Sequence, residues 1–178
     1  MAGMLDHALL YADAGFPVLP LHSPVDGQCD CRRDCSSPAK HPRTANGLKD
    51  ATTDPDAIRA WWALWPTANV GMVIPAGYVV VDVDTDKASA ATNGHEMPTT
   101  AMSKTGRGWH FLYRTSEPVR PAVGILEHVD LRGLGSYIVA PRLGRRLLLG
   151  EHPEGRYRRR ASVDIRGVTA NGCTSRSG

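Results

Sequence analysis

The chain has 178 residues and a mild net charge of +3, and this length suits one domain with a proper hydrophobic core. Its apolar and charged fractions, 42% and 22%, are ordinary for a soluble protein, and no apolar run approaches the roughly 20 residues of a membrane helix. The first residues lack the basic start and apolar stretch of a signal peptide, so we expect a cytoplasmic protein that is neither secreted nor membrane-bound.

The start of the chain predicts a helix followed by a short edge strand. Apolar residues at 5, 8, 9 and 12 have helical spacing, and Gly15 ends the helix predicted over residues 5–14. The extended segment 16–22 contains Pro17 and Pro20, which restrict it to an edge or to the start of a sheet.

Three cysteines and a histidine then lie within 13 residues, among Gly, Pro and Ser. They are Cys29, Cys31, Cys35 and His41. A loop over 27–43 with so little apolar content favours a closed structural zinc site, since metal binding would supply on the order of 10 kcal/mol for folding. The spacing is not the common Cys-x-x-Cys pair, so free or redox thiols and a disulfide stay open as alternatives.

The middle of the chain predicts a helix and two strands. Thr53 or Asp54, followed by Pro55, caps a helix over 56–65, whose tryptophans share one face and therefore favour core packing over base stacking. A strand over 69–74 and a turn at 75–77 lead to a further strand. We expect these two strands to pair as an antiparallel hairpin.

That further strand ends in carboxylates. Residues 78–81 are a β-branched apolar run, typical of a buried strand, and Asp82 and Asp84 follow. Because side chains alternate along a strand, both carboxylates point to one face, about 7 Å apart. Two such charges repel unless a cation lies between them, and Mg²⁺ or Mn²⁺ prefers carboxylate oxygen. The alternative is a polar strand end running into a turn, with Asp86 as a cap.

A glycine-containing segment opens the next predicted strand. Gly106 and Gly108 let the backbone approach another group closely, and His110 lies beside them. With the cations Lys104 and Arg107 nearby, the segment favours a cradle for a triphosphate. The alternative is a hairpin turn with a surface histidine. The Walker phosphate-binding sequence is absent.

The last predicted strands bring a third carboxylate. Asp130 lies on or beside a short strand, and residues 137–140 form another. Near the first two carboxylates, Asp130 would complete a site for two metal ions; the alternative is a surface pair with Arg132. Residues 142–160 carry seven arginines against two glutamates, which suits either a phosphate backbone or a solvated surface. Residues 161–178 predict a disordered tail.

In their joint order these segments resemble the N-terminal domain of bifunctional DNA primase/polymerases, the Prim-Pol type of the archaeo-eukaryotic primase superfamily. The resemblance covers roughly residues 5–160. It rests on Pro38-Ala-Lys-His-Pro-Arg43, Gly47-Leu-Lys-Asp-Ala-Thr-Thr-Asp-Pro55, Trp61-Trp62 with Asn69-Val-Gly71, Val81-Asp-Val-Asp84, Gly106-Arg-Gly-Trp-His110 and Val129-Asp-Leu-Arg-Gly-Leu-Gly-Ser-Tyr-Ile-Val-Ala-Pro141.

The resemblance implies an α+β fold, in which an RRM-like antiparallel catalytic sheet packs against an N-terminal α/β unit with the active site in the cleft between them. It assigns residues 1–160 to the catalytic domain, with the zinc-type loop 27–43 inserted, and leaves 161–178 as the tail. Asp82, Asp84 and Asp130 would hold two Mg²⁺ or Mn²⁺ ions, and His110 would contact the nucleotide phosphates. Further nucleotide-binding residues would be Lys104, Arg107, Gly108 and Arg132, and residues facing the template backbone would be Arg142, Arg145 and Arg146.

The implied function is template-dependent nucleotidyl transfer, as DNA primase, DNA polymerase or both, in phage, plasmid or bacterial DNA replication. The implied partners are a DNA template and primer, dNTPs or NTPs, and a replicative helicase in trans, in the cytoplasm of a bacterium or of a phage-infected host. The chain departs from the family pattern in three places. Ala39 stands where the family more often has Gly, Arg107-Gly-Trp-His110 stands where a Gly-Gly-Arg-His-like string is usual, and Leu134 replaces a usually polar residue.

Two other functions stay open on the sequence. The first is a non-catalytic, zinc-bearing nucleic-acid-binding replication accessory, or an inactive remnant of the enzyme. The second is a phosphatase whose nucleophile is Asp82, although such enzymes usually carry this strand near the N-terminus and an acidic pair downstream, which this chain lacks.

Overall fold

The computed structural model describes residues 3–85 and 100–142, which form two α-helices and ten strands. The helices are α1, Met4–Asp13, and α2, Pro55–Leu64, with a 3₁₀ helix at Gly47–Asp50. The strands are β1 Val18–Leu21, β2 Pro24–Val25, β3 Gln28–Cys29, β4 Asn69–Val73, β5 Tyr78–Val83, β6 Ala101–Lys104, β7 Trp109–Arg114, β8 Ala122–Leu126, β9 Val129–Arg132 and β10 Tyr137–Val139. The prediction of a mixed fold with antiparallel sheets and few helices is confirmed.

The strands form a three-stranded sheet in the order β1-β4-β10, a five-stranded sheet in the order β6-β7-β5-β9-β8, and the small hairpin β2-β3. Strand β1 is an edge strand, as Pro20 within it predicts. Among the described helices, none is long and apolar enough to cross a membrane. Asp86, Arg145, Arg146 and the predicted tail lie outside the described residues.

Helices α1 and α2 pack with the three-stranded sheet around the main core. Asp54 caps α2 by accepting a 3.0 Å hydrogen bond from the Asp56 N–H, and Pro55 begins the helix. Trp62 is 3% exposed in this core, with Trp61 and Trp65 packed against it. Core packing of the tryptophan face is therefore confirmed, and its aromatic surface is a large part of what holds α2 to the sheet.

The predicted hairpin between β4 and β5 is wrong. Strand β4 pairs with β1 on one side and β10 on the other, whereas β5 pairs with β7 and β9. The turn at 75–77, in which Gly77 has φ +85°, carries the chain from one sheet to the other. Both edges of each strand are satisfied by partners from distant parts of the sequence, so the short connection does not make a hairpin.

One face of β5 runs from the core into a cleft. Val80 is fully buried in the main core together with residues of the N-terminal half. Asp82, two residues on, points to the same face and lines an open cavity. Val83, on the other face, packs with Val129 in a second, smaller core. The strand is thus anchored on both faces immediately beside the carboxylate.

Gly108 fits against the end of β5 because it lacks a side chain. A Cβ atom there would lie 1.7 Å from the Val83 carbonyl oxygen and 2.8 Å from the Thr85 nitrogen, both backbone atoms. We expect Gly108→Ala to lower the free energy of unfolding by about 3 kcal/mol or more, because backbone must move to admit the methyl group. Urea unfolding followed by circular dichroism measures the change.

Gly106→Ala is the matched control, since nothing lies within 4 Å of a Cβ atom at position 106. Its unfolding free energy should change by no more than about 1 kcal/mol. Equal stability of the two variants would contradict the packing described here.

Candidate active site

Four polar residues form one row across four strands of the five-stranded sheet. Asp82 on β5 is directly paired with His110 on β7 and with Asp130 on β9, and His110 is paired with Ser103 on β6. Directly paired residues of an antiparallel sheet point to the same face. The sheet therefore brings together the predicted residues Asp82, His110 and Asp130, and it adds Ser103.

Asp82 lies at the centre of this row and is paired on both sides. Its Oδ1 lies 3.3 Å from His110 Nε2, and its Oδ2 accepts hydrogen bonds from Arg132 Nε and Nη2, each at 3.2 Å. Burial acts to raise the pKa of the Asp82 carboxyl, but His110 and Arg132 more than offset it, so the pKa lies below its usual value. Asp82 is an ionised carboxylate at neutral pH.

Asp130 is tied to the same guanidinium. Its Oδ2 accepts a 2.8 Å hydrogen bond from Arg132 Nη2, and its Oδ1 accepts one of 2.8 Å from the Gly124 N–H. The Asp130–Arg132 pair that the sequence left as an alternative is present, and it extends to Asp82. The cation between these two carboxylates in the structure is therefore a side chain of the same sheet.

Asp84 lies just beyond β5 and is exposed. Its N–H donates to the His128 carbonyl at 2.9 Å, which fixes the backbone there, and its side chain borders the same cavity as Asp82. Among residues 3–85 and 100–142, the side-chain groups with three ligand atoms within 4.8 Å of one another all lie around the cysteine loop. Asp82 and Asp84 line this cavity, whereas Asp130 is paired with Asp82 in the row but is not part of the lining. These three aspartates therefore do not converge on one point.

The cleft beside the row has a volume of about 850 Å³, within the range of small-molecule sites. It is rich in cations as well as carboxylates. The charged residues that line it are Asp82, Asp84, Lys40, Lys104, Arg107, Arg132 and Arg142. A site with ionised carboxylates and surrounding cations can hold metal ions and a polyanion together.

The turn between β6 and β7 differs from the predicted cradle of open amides. The N–H groups of Arg107 and Gly108 donate to Thr105 Oγ1 at 3.3 and 2.9 Å, so the turn uses them internally. Lys104 is paired with Trp109, out of the row, and its ammonium lies 5.9 Å from the centroid of that indole ring. Arg107 is exposed at the tip of the turn, and both it and Lys104 line the cleft.

The cysteine loop brings its predicted ligands together. Ligand atoms of Cys29, Cys31, Cys35 and His41 all lie within 4.8 Å of one another. Cys29 Sγ is 3.4 Å from His41 Nε2, and these three cysteines are free thiols in the structure. Three sulfurs and one imidazole nitrogen are the donor set of a structural zinc site, so the residues fit the metal.

The thiols of Cys29 and Cys35 differ in pKa. Desolvation acts to raise the pKa of the Cys29 thiol. This pKa is nevertheless lowered to about 6 by hydrogen bonds from the backbone amides of Ala39 and Cys31 and from neighbouring side chains. Desolvation, reinforced by the other two cysteines, raises the pKa of Cys35 to about 11. The lowered pKa favours the thiolate form of Cys29, which is the form that binds metal.

A partly buried carboxylate, that of Asp30, attaches this loop to the rest of the fold. Asp30 lies between two of the cysteines, and its carboxylate receives hydrogen bonds from His22 Nδ1 at 2.6 Å, from the Ser23 N–H at 3.1 Å and from Arg43. The guanidinium of Arg43 also lies 5.6 Å from the centroid of the Trp65 ring. The position of the cysteines is thus set relative to β1 and α2.

Sequence reasoning missed Ser103 and overlooked Lys40 as a cleft residue. Ser103 could have been found only from the register of the β6-β7 hairpin, which places it opposite His110. Lys40 enters the cleft because the loop contacts Asn69 at the start of β4, a long-range contact without a local signal.

Comparison with known proteins gives one family. The family model described as bifunctional DNA primase/polymerase, N-terminal (Prim-Pol), matches residues 8–168. This range is most of the chain, and it includes the cysteine loop and the whole row of cleft residues. A search of the curated proteins found no match.

Ala39 adopts φ +58°, a left-handed conformation that glycine adopts without strain. We expect Ala39→Gly to raise the free energy of unfolding by about 0.5–1 kcal/mol. This gain is what remains of the relieved backbone strain after the greater chain entropy of glycine in the unfolded state is subtracted. Thermal unfolding measures it. Ala51→Gly is the control, since Ala51 has φ −57° and only the entropy loss applies there. Destabilisation of both variants alike would contradict the strain at Ala39.

Zinc should protect the loop from proteolysis. Arg32 and Arg33 are exposed trypsin sites between the second and third cysteines. We expect the zinc-loaded chain, with one zinc per molecule, to resist cleavage there, and the chelated chain to be cut rapidly, because metal binding orders the loop. Mass spectrometry of the fragments locates the cuts, and Arg59 on α2 is the internal control. Equal cleavage with and without zinc would count against a zinc site.

Proposed function

This chain belongs to the bifunctional DNA primase/polymerase family, and we propose that it catalyses template-dependent nucleotidyl transfer in the cleft beside Asp82. Family membership alone indicates DNA primase or polymerase activity in general, with DNA and nucleotides as substrates. The observation that carries the proposal is the row of Asp82, His110 and Asp130 on one face of the sheet, in which Asp82 and His110 line a cleft rich in cations.

The arrangement of the two sheets supports an RRM-like catalytic unit as part of this proposal. The five-stranded sheet is antiparallel throughout, and Asp82 lies on its central strand. One face of that strand joins the main core through Val80. The cleft opens where that face leaves the core. Residues 1–160 would then act as one catalytic domain.

Asp82, Asp84 and Asp130 are the proposed ligands of two Mg²⁺ or Mn²⁺ ions, since hard divalent cations prefer carboxylate oxygens. Bound there, the ions would activate the attacking 3′-hydroxyl and stabilise the pyrophosphate leaving group. Arg132 donates hydrogen bonds to Oδ2 of Asp82, whereas Oδ1 lies beside His110. Release of Oδ2 and of Asp130 by Arg132 would complete the ligand set and turn the guanidinium toward substrate.

The other side chains of the cleft would position the nucleotide. Arg107 at the turn and Arg132 in the sheet present planar guanidinium groups, which suit bidentate binding of phosphate oxygens. His110 is held beside Asp82 and can donate to a phosphate oxygen once the carboxylate turns away from it. Gly108 contributes by holding this turn against β5, and Lys104 lies at the rim.

DNA would lie along the basic side of the cleft. Arg142 is exposed and lines it, and Arg145 and Arg146 follow in the sequence. Such contacts to a phosphate backbone are independent of base sequence and weaken with salt. A structural zinc in the cysteine loop, a replicative helicase in trans and a cytoplasmic role in phage, plasmid or bacterial replication complete the proposal; the last two rest on the family alone.

Asp82→Asn tests the proposed chemistry. The substitution keeps the size of the side chain and removes the charge, so we expect it to abolish incorporation of dNTPs in a primer-extension assay with Mg²⁺ or Mn²⁺, while binding to single-stranded template persists. An unprimed reaction with labelled ATP separates priming from extension. Asp56→Asn is the control, since the Asp56 side chain is 89% exposed on α2.

The outcomes separate the candidate functions. Incorporation by the wild type and by Asp56→Asn, but not by a folded Asp82→Asn, supports the polymerase. Folded, zinc-loaded wild type that binds template and incorporates nothing points instead to the non-catalytic accessory or remnant.

A further inference from the structure

The cysteine loop forms one wall of the candidate active-site cleft. Residues 37–40, between its third and fourth metal ligands, line the same cavity as Asp82 and His110. They come from a different part of the chain than the sheet that carries the carboxylates. The loop is therefore a neighbour of the substrate space as well as a folded insertion.

The main chain of this wall is clamped from two sides. On the metal side, the Ala39 N–H donates to Cys29 Sγ at 3.2 Å. On the sheet side, Asn69 Nδ2 donates to the Ala39 carbonyl and the Tyr137 hydroxyl donates to the Lys40 carbonyl, each at 3.0 Å. The strained backbone of Ala39 is thus held in place by both the cysteine cluster and β4 and β10.

Lys40 carries an exposed charge on this fixed backbone. Its side chain makes none of the ion pairs found between the described residues, whereas Arg132 is engaged by Asp82 and Asp130. A lysine is a flexible point charge with three donors, and it binds phosphate readily. Placed on the wall of a cleft that also holds Arg107, it adds a cation where a polyanion would lie.

We propose that Lys40 binds a phosphate group of the substrate, so that the zinc loop is part of the substrate site. The phosphate belongs either to the triphosphate of the incoming nucleotide or to the backbone of the DNA, which share this chemistry. The identity of these substrates rests on the proposed function. Zinc enters indirectly, because it fixes the backbone from which Lys40 reaches the cleft.

Equilibrium binding without turnover tests the proposal on the full, zinc-loaded chain. The probes are fluorescent dATP with Mg²⁺ and, separately, a fluorescein-labelled oligothymidylate. The variants are Lys40→Ala and Lys40→Arg, and Lys49→Ala is the matched control, since Lys49 is exposed on the 3₁₀ helix and does not line the cleft. The clamps use backbone atoms of residue 40, so zinc content and melting temperature should stay unchanged in all three.

We expect Lys40→Ala to lower the affinity for one of the two probes by about tenfold, because one charge-assisted contact is lost. Weaker dATP binding assigns the triphosphate. Weaker oligothymidylate binding, with a salt slope reduced by about 0.7, assigns the DNA backbone. Lys40→Arg keeps the charge and should restore most of the affinity.

Three results would overturn the proposal: no change beyond that of Lys49→Ala, loss of affinity that Lys40→Arg does not restore, or wild type that binds neither probe. Failure of the polymerase assignment looks different. In that case the wild type binds the probes and loses affinity with Lys40→Ala, yet incorporates no nucleotide.

Discussion

Asp82 is held between His110 and Asp130 by the register that β5 shares with β7 and β9. Because side chains alternate along a strand, a slip of one residue would put Val83 in the row and Asp82 in the smaller core. Buried valines on both faces of β5 and the close contact of Gly108 with the Val83 carbonyl oppose that slip. The position of the carboxylate is thus a property of the whole sheet.

A second requirement is charge balance within the row. Two carboxylates on adjacent strands repel, and Arg132 lies between them with its guanidinium bound to both. The sheet therefore carries its own counter-charge for these two carboxylates. The same guanidinium suits phosphate, so in the proposed function the group that balances the two carboxylates would also bind the polyanionic substrate.

The sequence predicted what depends on local patterns. The spacing of apolar residues gave α1 and α2, and the run before Asp82 gave β5, because these elements are set by neighbours in the chain. Pairings between distant strands have no such signal, which is why β4 and β5 were expected to form a hairpin. Ser103 and Lys40 were missed as members of the site for the same reason: their place depends on tertiary contacts.

The two ends of the cysteine loop lie close together, and this has a consequence for the whole molecule. The His22 N–H donates to the His41 carbonyl at 2.9 Å, and Leu21 bridges to Pro42, so the insertion leaves and rejoins the body at one point. The main core, around Trp62, lies outside it. Loss of metal from the proposed zinc site would then change the conformation of the loop while the rest of the protein remains folded. Because Lys40 lies on that loop, loss of zinc would weaken the proposed binding of substrate. It would leave the amount of folded protein unchanged.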